Sequence, residues 1–145
     1  MNMFGHEYFM RIALTQAQIA FDNYEVPVGA IIVHQNKIIA KGHNLCEKLI
    51  YFTAHAEMQA ITSAANFLGG KYLKGCTIYV TLEPCVMCIG GLYWSQLDRI
   101  VYAASDPKRG ALSQAVHPHP KTTCLGGVME AEAADLLLRF FQKKR

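Results

Sequence analysis

The feature that most constrains this chain is a pair of separated segments whose side chains together suit a metal ion. The first is His55-Ala56-Glu57, and the second is Pro84-Cys85-Val86-Met87-Cys88. Cysteines separated by two residues present both sulfurs on one face of a helix, and a helix N-terminus favours their thiolate form. Two thiolates and the neutral imidazole of His55 make three ligands for a tetrahedral ion and leave the fourth position to water. This donor set predicts one catalytic zinc ion per chain.

Glu57 follows His55 closely enough to reach the same cavity at the first turns of a helix. A carboxylate beside such a site can take a proton from water and later give it to a leaving amine. Taken alone, Glu57 is better explained as an ordinary first-turn acid, whereas beside a predicted three-ligand zinc site it is better explained as the proton carrier. The alternatives for the whole motif are a structural zinc site, which needs a fourth protein ligand, and a Cys-x-x-Cys redox pair. A redox pair would leave His55 and Glu57 unexplained.

Composition predicts one folded domain over residues 1–145, because 52% of the chain is apolar and only 17% is charged. Glu7 and Arg11 in the first predicted helix argue against a signal peptide. No later stretch reaches the roughly 18 apolar residues that a membrane span needs, so we expect a cytoplasmic protein. Five cysteines argue against a disulfide framework, and Cys76 and Cys124 are expected in the core because they lie in apolar runs.

The net charge of +3 is too small to imply nucleic acid by itself. Basic residues concentrate at the end of the chain, where cations suit the negative end of a helix dipole. A solvated helix terminus is therefore the simplest explanation for Arg139, Lys143, Lys144 and Arg145.

Hydrophobic periodicity and turn residues predict alternating helices and strands. The predicted elements are a helix over 3–22, strands over 28–34 and 37–42, a helix over 54–67, a strand over 76–81, a helix opening at Glu83-Pro84, a strand over 100–103, a weak strand near 121–125 and a helix over 130–143. This order predicts a three-layer α/β/α domain, with helices on both faces of a mixed five-stranded sheet.

Several local details accompany these elements. Thr53 is expected to cap the second long helix, and Pro84 to occupy the first helical position of the next. Residues 106–110 should form a polar turn, and 117–120 should be irregular because of two prolines. Inward-facing side chains are expected in the first helix at Phe4, Tyr8, Ile12 and Ile19, with Phe9 and Leu14 alongside, and in the last helix at Leu136, Leu137, Phe140 and Phe141.

The chain resembles the zinc-dependent deaminases, whose hallmark is His-x-Glu followed by Pro-Cys-x-x-Cys. Within that superfamily it is most similar to the bacterial tRNA-specific adenosine deaminases, over nearly its whole length. The matching stretches are Val26-Pro27-Val28-Gly29-Ala30, Gly42-His43-Asn44, Thr53-Ala54-His55-Ala56-Glu57, the segment from Tyr79 to Cys88, Asp106-Pro107-Lys108, and Phe140-Phe141 with the basic end.

This resemblance implies a cytidine-deaminase-like fold, a homodimer, and conversion of the wobble adenosine of a tRNA anticodon to inosine. It implies that Glu57 shuttles protons while water replaces the amine. Asn44 is in the position that hydrogen-bonds the target base, although a strand-end turn residue is its alternative. By the same resemblance, the base pocket is lined by Val28 and Ala56, and the RNA backbone is contacted by Asp106 and Lys108.

The chain departs from the family after Lys108, where Arg109-Gly110-Ala111-Leu112-Ser113-Gln114 and then His117-Pro118-His119-Pro120 replace the usual residues, and Ala103 stands where glycine is common. The two histidines could bind a second metal, although a solvated loop is the simpler explanation. A deaminase of free guanine, cytosine or cytidine is the main rival, since it would share every zinc residue. A riboflavin-pathway deaminase and a catalytically inactive RNA-binding module are further alternatives.

Overall fold

The computed structural model describes residues 5–143, and within them a five-stranded sheet separates two layers of helices. The strand order is β2-β1-β3-β4-β5, antiparallel from β2 to β3 and parallel from β3 to β5. This confirms the predicted mixed sheet and its three layers. The elements are α1 (His6–Asp22), β1 (Gly29–His34), β2 (Lys37–His43), α2 (Cys46–Leu49), α3 (Ala56–Leu68), β3 (Cys76–Leu82), α4 (Val86–Ser95), β4 (Arg99–Ala104), a 3₁₀ helix (Leu112–Gln114), β5 (Thr123–Leu125) and α5 (Glu130–Lys143).

Strand β1 lies between β2 and β3 and is apolar on both faces. Ala30 and Ile32 pack into the cluster that contains α3 and α4, whereas Ile31 and Val33 pack against α1. Successive strand residues point to opposite faces, so a nearly continuous apolar run suits a strand that is covered on both sides. The two clusters hold α3 and α4, which carry the predicted metal-binding residues, on one face of the sheet and α1 and α5 on the other.

Helix α1 begins at His6, after Gly5, and the stripe that it buries agrees only in part with the predicted one. As expected, Phe9 is buried, and Ile12 and Leu14 are partly buried against the core. Its buried side chains are Phe9, Met10, Ala13, Ala17 and Ala20. Tyr8 and Ile19 are exposed, so that part of the prediction is wrong, and Phe4 lies outside the described residues. The alanines let α1 approach β1 so closely that a Cβ at Gly29 would lie 2.1 Å from the Ala13 carbonyl oxygen. Close approach, rather than side-chain bulk, decides which face of α1 is buried.

Two helices begin later than predicted, and the delay affects the metal motif. His55, not Thr53, is the N-cap of α3, and Cys85 is the N-cap of α4, so Pro84 precedes the helix. Both N-cap residues have extended backbone, with ψ of 156° at His55 and 174° at Cys85. Gly69 ends α3 in the left-handed conformation, as its position predicts.

The connections contain two short helices that the periodicity did not predict, α2 and the 3₁₀ helix at Leu112–Gln114. The turn over 106–110 and the irregular stretch at 117–119 are as predicted. Cys76 is buried, but Cys124 on the edge strand β5 is exposed, so its assignment to the core is wrong.

Helix α5 has the predicted bounds, and Leu136 and Phe140 are buried. Leu137 is half-buried, and Phe141 is 49% exposed, which contradicts its predicted inward orientation. Both residues line a cavity at the end of the sheet. Among residues 5–143, no helix is both long enough and apolar enough to cross a membrane.

Candidate active site

His55, Cys85 and Cys88 come together where α3 and α4 begin. The His55 Nδ1 atom lies 3.6 Å from the Cys85 sulfur and 3.4 Å from the Cys88 sulfur. All three donor atoms lie within 4.8 Å of one another. Within the part of the chain that the structure describes, this is the one group of three such side chains that could hold a metal ion. Two sulfurs and one nitrogen fit zinc better than magnesium or calcium.

The electrostatics of this group suit a cation. His55 and Cys85 are N-cap residues, so both lie at the positive end of a helix dipole. For Cys85, this position favours the thiolate form. A hydrogen bond from the Cys88 thiol and another with His55 lower the pKa of Cys85 to about 4, although burial opposes them. The same Cys85 contact and burial raise the pKa of Cys88, and the hydrogen bond to Cys85 raises that of His55. Two thiolates would balance the charge of Zn²⁺.

Glu57 lies in the first turn of α3, beside the three metal-binding candidates. Its side chain is only 4% exposed, and burial raises its pKa to about 7. A carboxyl group with a pKa near neutrality can both accept and donate a proton at physiological pH. Glu57 therefore has the position and the acidity of a general acid–base, rather than those of a solvated first-turn acid.

A cavity of about 610 Å³ opens over this group. Most of the predicted site residues line it, which are Val28, Asn44, His55, Glu57, Cys85, Asp106 and Lys108. Cys88 is fully buried beneath it, and Ala56 is fully buried as well. Other lining side chains were not predicted from the sequence, namely Tyr24, Glu25, Glu83, Leu137 and Phe141.

Asn44 follows the last residue of β2 and is 8% exposed. Its Oδ1 accepts a hydrogen bond of 2.8 Å from the backbone N–H of Ala56. This contact orients the carboxamide, because the oxygen is used and the NH₂ group is left as the donor. Asn44 thus joins the end of β2 to the start of α3 and supplies a donor at the cavity. Ala56 contributes its N–H to this arrangement.

Asp106 and Lys108 belong to a tight turn at the cavity. The Asp106 Oδ1 accepts hydrogen bonds from the backbone N–H groups of Lys108, at 3.2 Å, and Arg109, at 3.0 Å. Asp106 therefore acts as a turn residue, the simpler of its two interpretations. It also lines the cavity together with Lys108.

The histidines at 117 and 119 do not form a second metal group with other residues in the described chain. The His119 ring packs 5.1 Å from that of Tyr93, and its Nδ1 accepts the backbone N–H of Lys121. At the basic end, Arg139 pairs with Asp135. Arg139 and Lys143 both lie over the Phe21 ring, while Lys144 and Arg145 lie outside the described residues.

Comparison with known proteins agrees with this geometry. The model of the cytidine and deoxycytidylate deaminase zinc-binding region matches residues 3–104. A tRNA-specific adenosine deaminase of Aquifex aeolicus (strain VF5) is 44% identical over an alignment of 146 positions, which covers 97% of each chain. The resemblance noted in the sequence is confirmed, and so is the expectation of zinc as the family's metal.

Two solved structures are informative. One, from a study of A-to-I editing by tRNA:A34 deaminases, is 37% identical with a TM-score of 0.83, and the match covers 90% of this chain and 99% of that one. Guanine deaminase from Bacillus subtilis is 36% identical with a TM-score of 0.69, covering 77% of this chain and 69% of that one. The fold and the deaminase chemistry are common to both relatives.

Proposed function

Because the chain belongs to the cytidine and deoxycytidylate deaminase zinc-binding family, we propose that it hydrolyses the wobble adenosine of a tRNA anticodon to inosine. The observation that carries the proposal is 44% identity to a tRNA-specific adenosine deaminase over 97% of both chains. The cavity above His55, Cys85 and Cys88 supports a hydrolytic reaction at a small group, such as an extruded base.

The residues that would hold zinc are His55, Cys85 and Cys88. When bound, the metal would supply Lewis-acid activation of water near neutral pH. Glu57 takes the proton of the attacking water and delivers it to the departing amine, which leaves as ammonia. Because Glu57 is buried, bulk water is kept from its carboxyl group, and its pKa of about 7 lets that group both accept and donate a proton.

Asn44 and Val28 hold the base. The Asn44 NH₂ group donates to an acceptor on the base edge, since its oxygen is already bound by the N–H of Ala56. Val28 supplies an apolar wall at the same cavity. The RNA backbone contacts Asp106 and Lys108, and what supports this is that both line the same cavity and that the Lys108 ammonium is a natural partner of a phosphate.

Deamination of free guanine is the second candidate, favoured by the 36% identity to the Bacillus subtilis guanine deaminase. In the structural comparison, that relative covers less of this chain than the tRNA:A34 deaminase structure does, at 77% against 90%, and its TM-score is lower, at 0.69 against 0.83. The smaller overlap and lower structural similarity make the tRNA reaction the better supported of the two.

The enzyme works as a homodimer and, with tRNA as its substrate, in the cytoplasm. Supporting the dimer, α3 and α4 expose large apolar side chains at Phe67 and Trp94, with 68% and 74% of their surfaces accessible in a single chain. Exposed aromatic side chains of this kind are typical of interfaces. Trp94→Glu should therefore produce a monomer in light scattering, whereas an unchanged mass would remove α4 from the interface.

The test is inosine formation in an anticodon stem-loop with a wobble adenosine, analysed by nuclease digestion and mass spectrometry. The matched control carries the same loop with the adenosine moved by one position. We expect inosine only at the wobble position. No inosine in either loop, from protein that holds zinc, would overturn the tRNA proposal.

A further inference from the structure

Two buried carboxylates at the cavity take no part in the proton transfer described above. Glu25 is 1% exposed and Glu83 is 3% exposed, yet neither forms an ion pair with a basic side chain in the described structure. Burying a carboxylate is costly unless several donors compensate it. The groups that donate hydrogen bonds to these two carboxylates therefore indicate the role of each residue.

Glu83 holds the segment 106–113, which we call the first rim loop. Its Oε1 accepts the backbone N–H of Asp106 at 3.0 Å, and its Oε2 accepts that of Ser113 at 3.0 Å. The Ser113 hydroxyl donates as well, 3.1 Å from each oxygen. One carboxylate thus binds both ends of the loop that carries Lys108.

The first rim loop lies so close to Glu83 that its path is restricted. A Cβ on Gly110 would lie 2.1 Å from the Glu83 Oε2 and 2.7 Å from the Asp106 carbonyl oxygen, so glycine is required there. The Ala111 N–H also donates to the Pro84 carbonyl at 2.8 Å. The loop is therefore attached to the residues directly before the metal-binding cysteine Cys85.

Glu25 holds the short helix α2, residues 46–49, which we call the second rim loop, in the same way. Its Oε1 accepts the backbone N–H of Glu47 at 3.0 Å, and its Oε2 accepts that of Lys48 at 2.8 Å. Cys46 and Glu47 line the cavity along with Asp106 and Lys108 from the first rim loop. Hydrogen bonds from backbone N–H groups to a carboxylate are strong, and here they fix two short segments that lie outside the sheet and the long helices.

We propose that Glu25 and Glu83 are paired positioning residues, each of which holds one rim loop at the cavity mouth so that the mouth fits an extruded nucleotide. Neither residue touches the reacting atoms. Glu83 acts through Lys108, and Glu25 acts through the backbone of the second rim loop. The proposal rests on the proposed function for its kinetic readout but not for its structural one.

The structural readout is amide hydrogen exchange of zinc-loaded protein, and the two variants are each other's control. In Glu83→Gln, an amide NH₂ replaces one accepting oxygen, so amides at 106 and 113 should exchange at least about tenfold faster, with those at 47 and 48 unchanged. Glu25→Gln should show the reverse pattern. Exchange that is unchanged, or that rises equally in both loops, would overturn the proposal.

The kinetic readout separates positioning from general destabilisation. With the stem-loop substrate, Glu83→Gln should raise KM about tenfold and leave kcat within about threefold. Lys108→Met should reduce RNA affinity less in the Glu83→Gln background than in the natural chain, because a misplaced lysine already makes a weaker contact with the phosphate. Additive effects, or a fall confined to kcat, would contradict positioning through Lys108.

A milder variant covers the case in which Glu83→Gln does not fold. Ser113→Ala removes only the hydroxyl bonds and should speed exchange in the first rim loop by a few fold, without loss of zinc. No change in exchange at that loop would count against the proposal. If the natural protein does not act on the stem-loop, the proposed function fails, whereas the exchange experiments still decide the role of the carboxylates.

Discussion

The floor of the cavity and its rim are built in different ways. The floor consists of His55, Glu57, Cys85 and Cys88, all of which lie at or within the first turns of α3 and α4. The rim consists of two short segments, the loop that leads into the 3₁₀ helix and the four-residue helix α2, which are fixed by the carboxylates of Glu83 and Glu25. Regular structure thus positions the chemistry, and side-chain contacts position the entrance.

This difference explains how relatives with one chemistry can differ in substrate. The tRNA-specific and guanine deaminases that resemble this chain belong with the same fold. A change in the floor would remove the metal or the proton shuttle. If the rim positions the substrate as proposed, a change there should alter what can enter and leave the reaction intact. The departure from the family pattern after Lys108 falls in the rim.

The largest expected effect follows removal of the metal from the floor. Chelation should abolish turnover, and zinc should restore it. Near pH 6, the metal-free protein should then be alkylated by iodoacetamide first at Cys85, whose pKa of about 4 makes it a thiolate. Cys76 should resist, because burial raises its pKa to about 11 and keeps it protonated.

Peptide mass spectrometry measures that labelling, and zinc-loaded protein is the control. Protection of Cys85 by zinc is expected. Equal labelling of Cys85 and Cys76 in metal-free protein would contradict the electrostatics of the floor.

The next largest effect is expected for Glu57→Gln, which keeps the shape of the side chain and removes its ability to accept a proton. The kcat should fall by about 10²–10⁴-fold, the usual contribution of a general acid–base. Elemental analysis should still find the metal. Glu7→Gln on α1 is the matched surface control, and an active Glu57→Gln enzyme would exclude this residue from the proton transfer.

Asn44→Asp tests the contact between the end of β2 and the start of α3, which carries part of the floor. Aspartate keeps an oxygen for the N–H of Ala56 but loses the NH₂ donor, so kcat/KM should fall about tenfold or more. The variant should melt within a few degrees of the natural protein, whereas Asn44→Ala should also lose stability. If kcat/KM of Asn44→Asp is unchanged, Asn44 is only a structural link between β2 and α3.

The smallest effect is expected at the rim itself. Lys108→Met should reduce the slope of log affinity against log salt by about one for an RNA stem-loop, since one phosphate contact is lost. Lys121→Met is the control, because that exposed lysine does not line the cavity. Equal slopes in both variants, measured by fluorescence anisotropy, would place the RNA elsewhere.

The floor could be predicted from the sequence because its signal is local. His55 and Glu57 are neighbours in one helix start, and Cys85 and Cys88 are neighbours in another. Even the error about where α3 and α4 begin left the donor set intact. The change moved His55 and Cys85 into N-cap positions, where the helix dipoles act on them directly.

Asp106 and Lys108 of the rim were expected at the site from the resemblance, but the contacts that hold the rim could not be predicted, because they join residues that are distant in the chain. Nothing near Glu83 in the sequence indicates that Ser113 donates to it, and nothing near Glu25 indicates Lys48. The face of α1 was predicted only in part, for a related reason. Its buried stripe depends on alanines that allow close approach to Gly29, whereas periodicity arguments favour large side chains.

The most direct test of this account is a competition assay with zinc-loaded enzyme, an anticodon stem-loop and free guanine in one solution. The account predicts inosine at the wobble position and unchanged guanine, because the rim selects a nucleotide held in RNA. Xanthine and ammonia from guanine, with the stem-loop unmodified, would contradict it. That result would keep the zinc chemistry of the floor and assign the cavity to a free base.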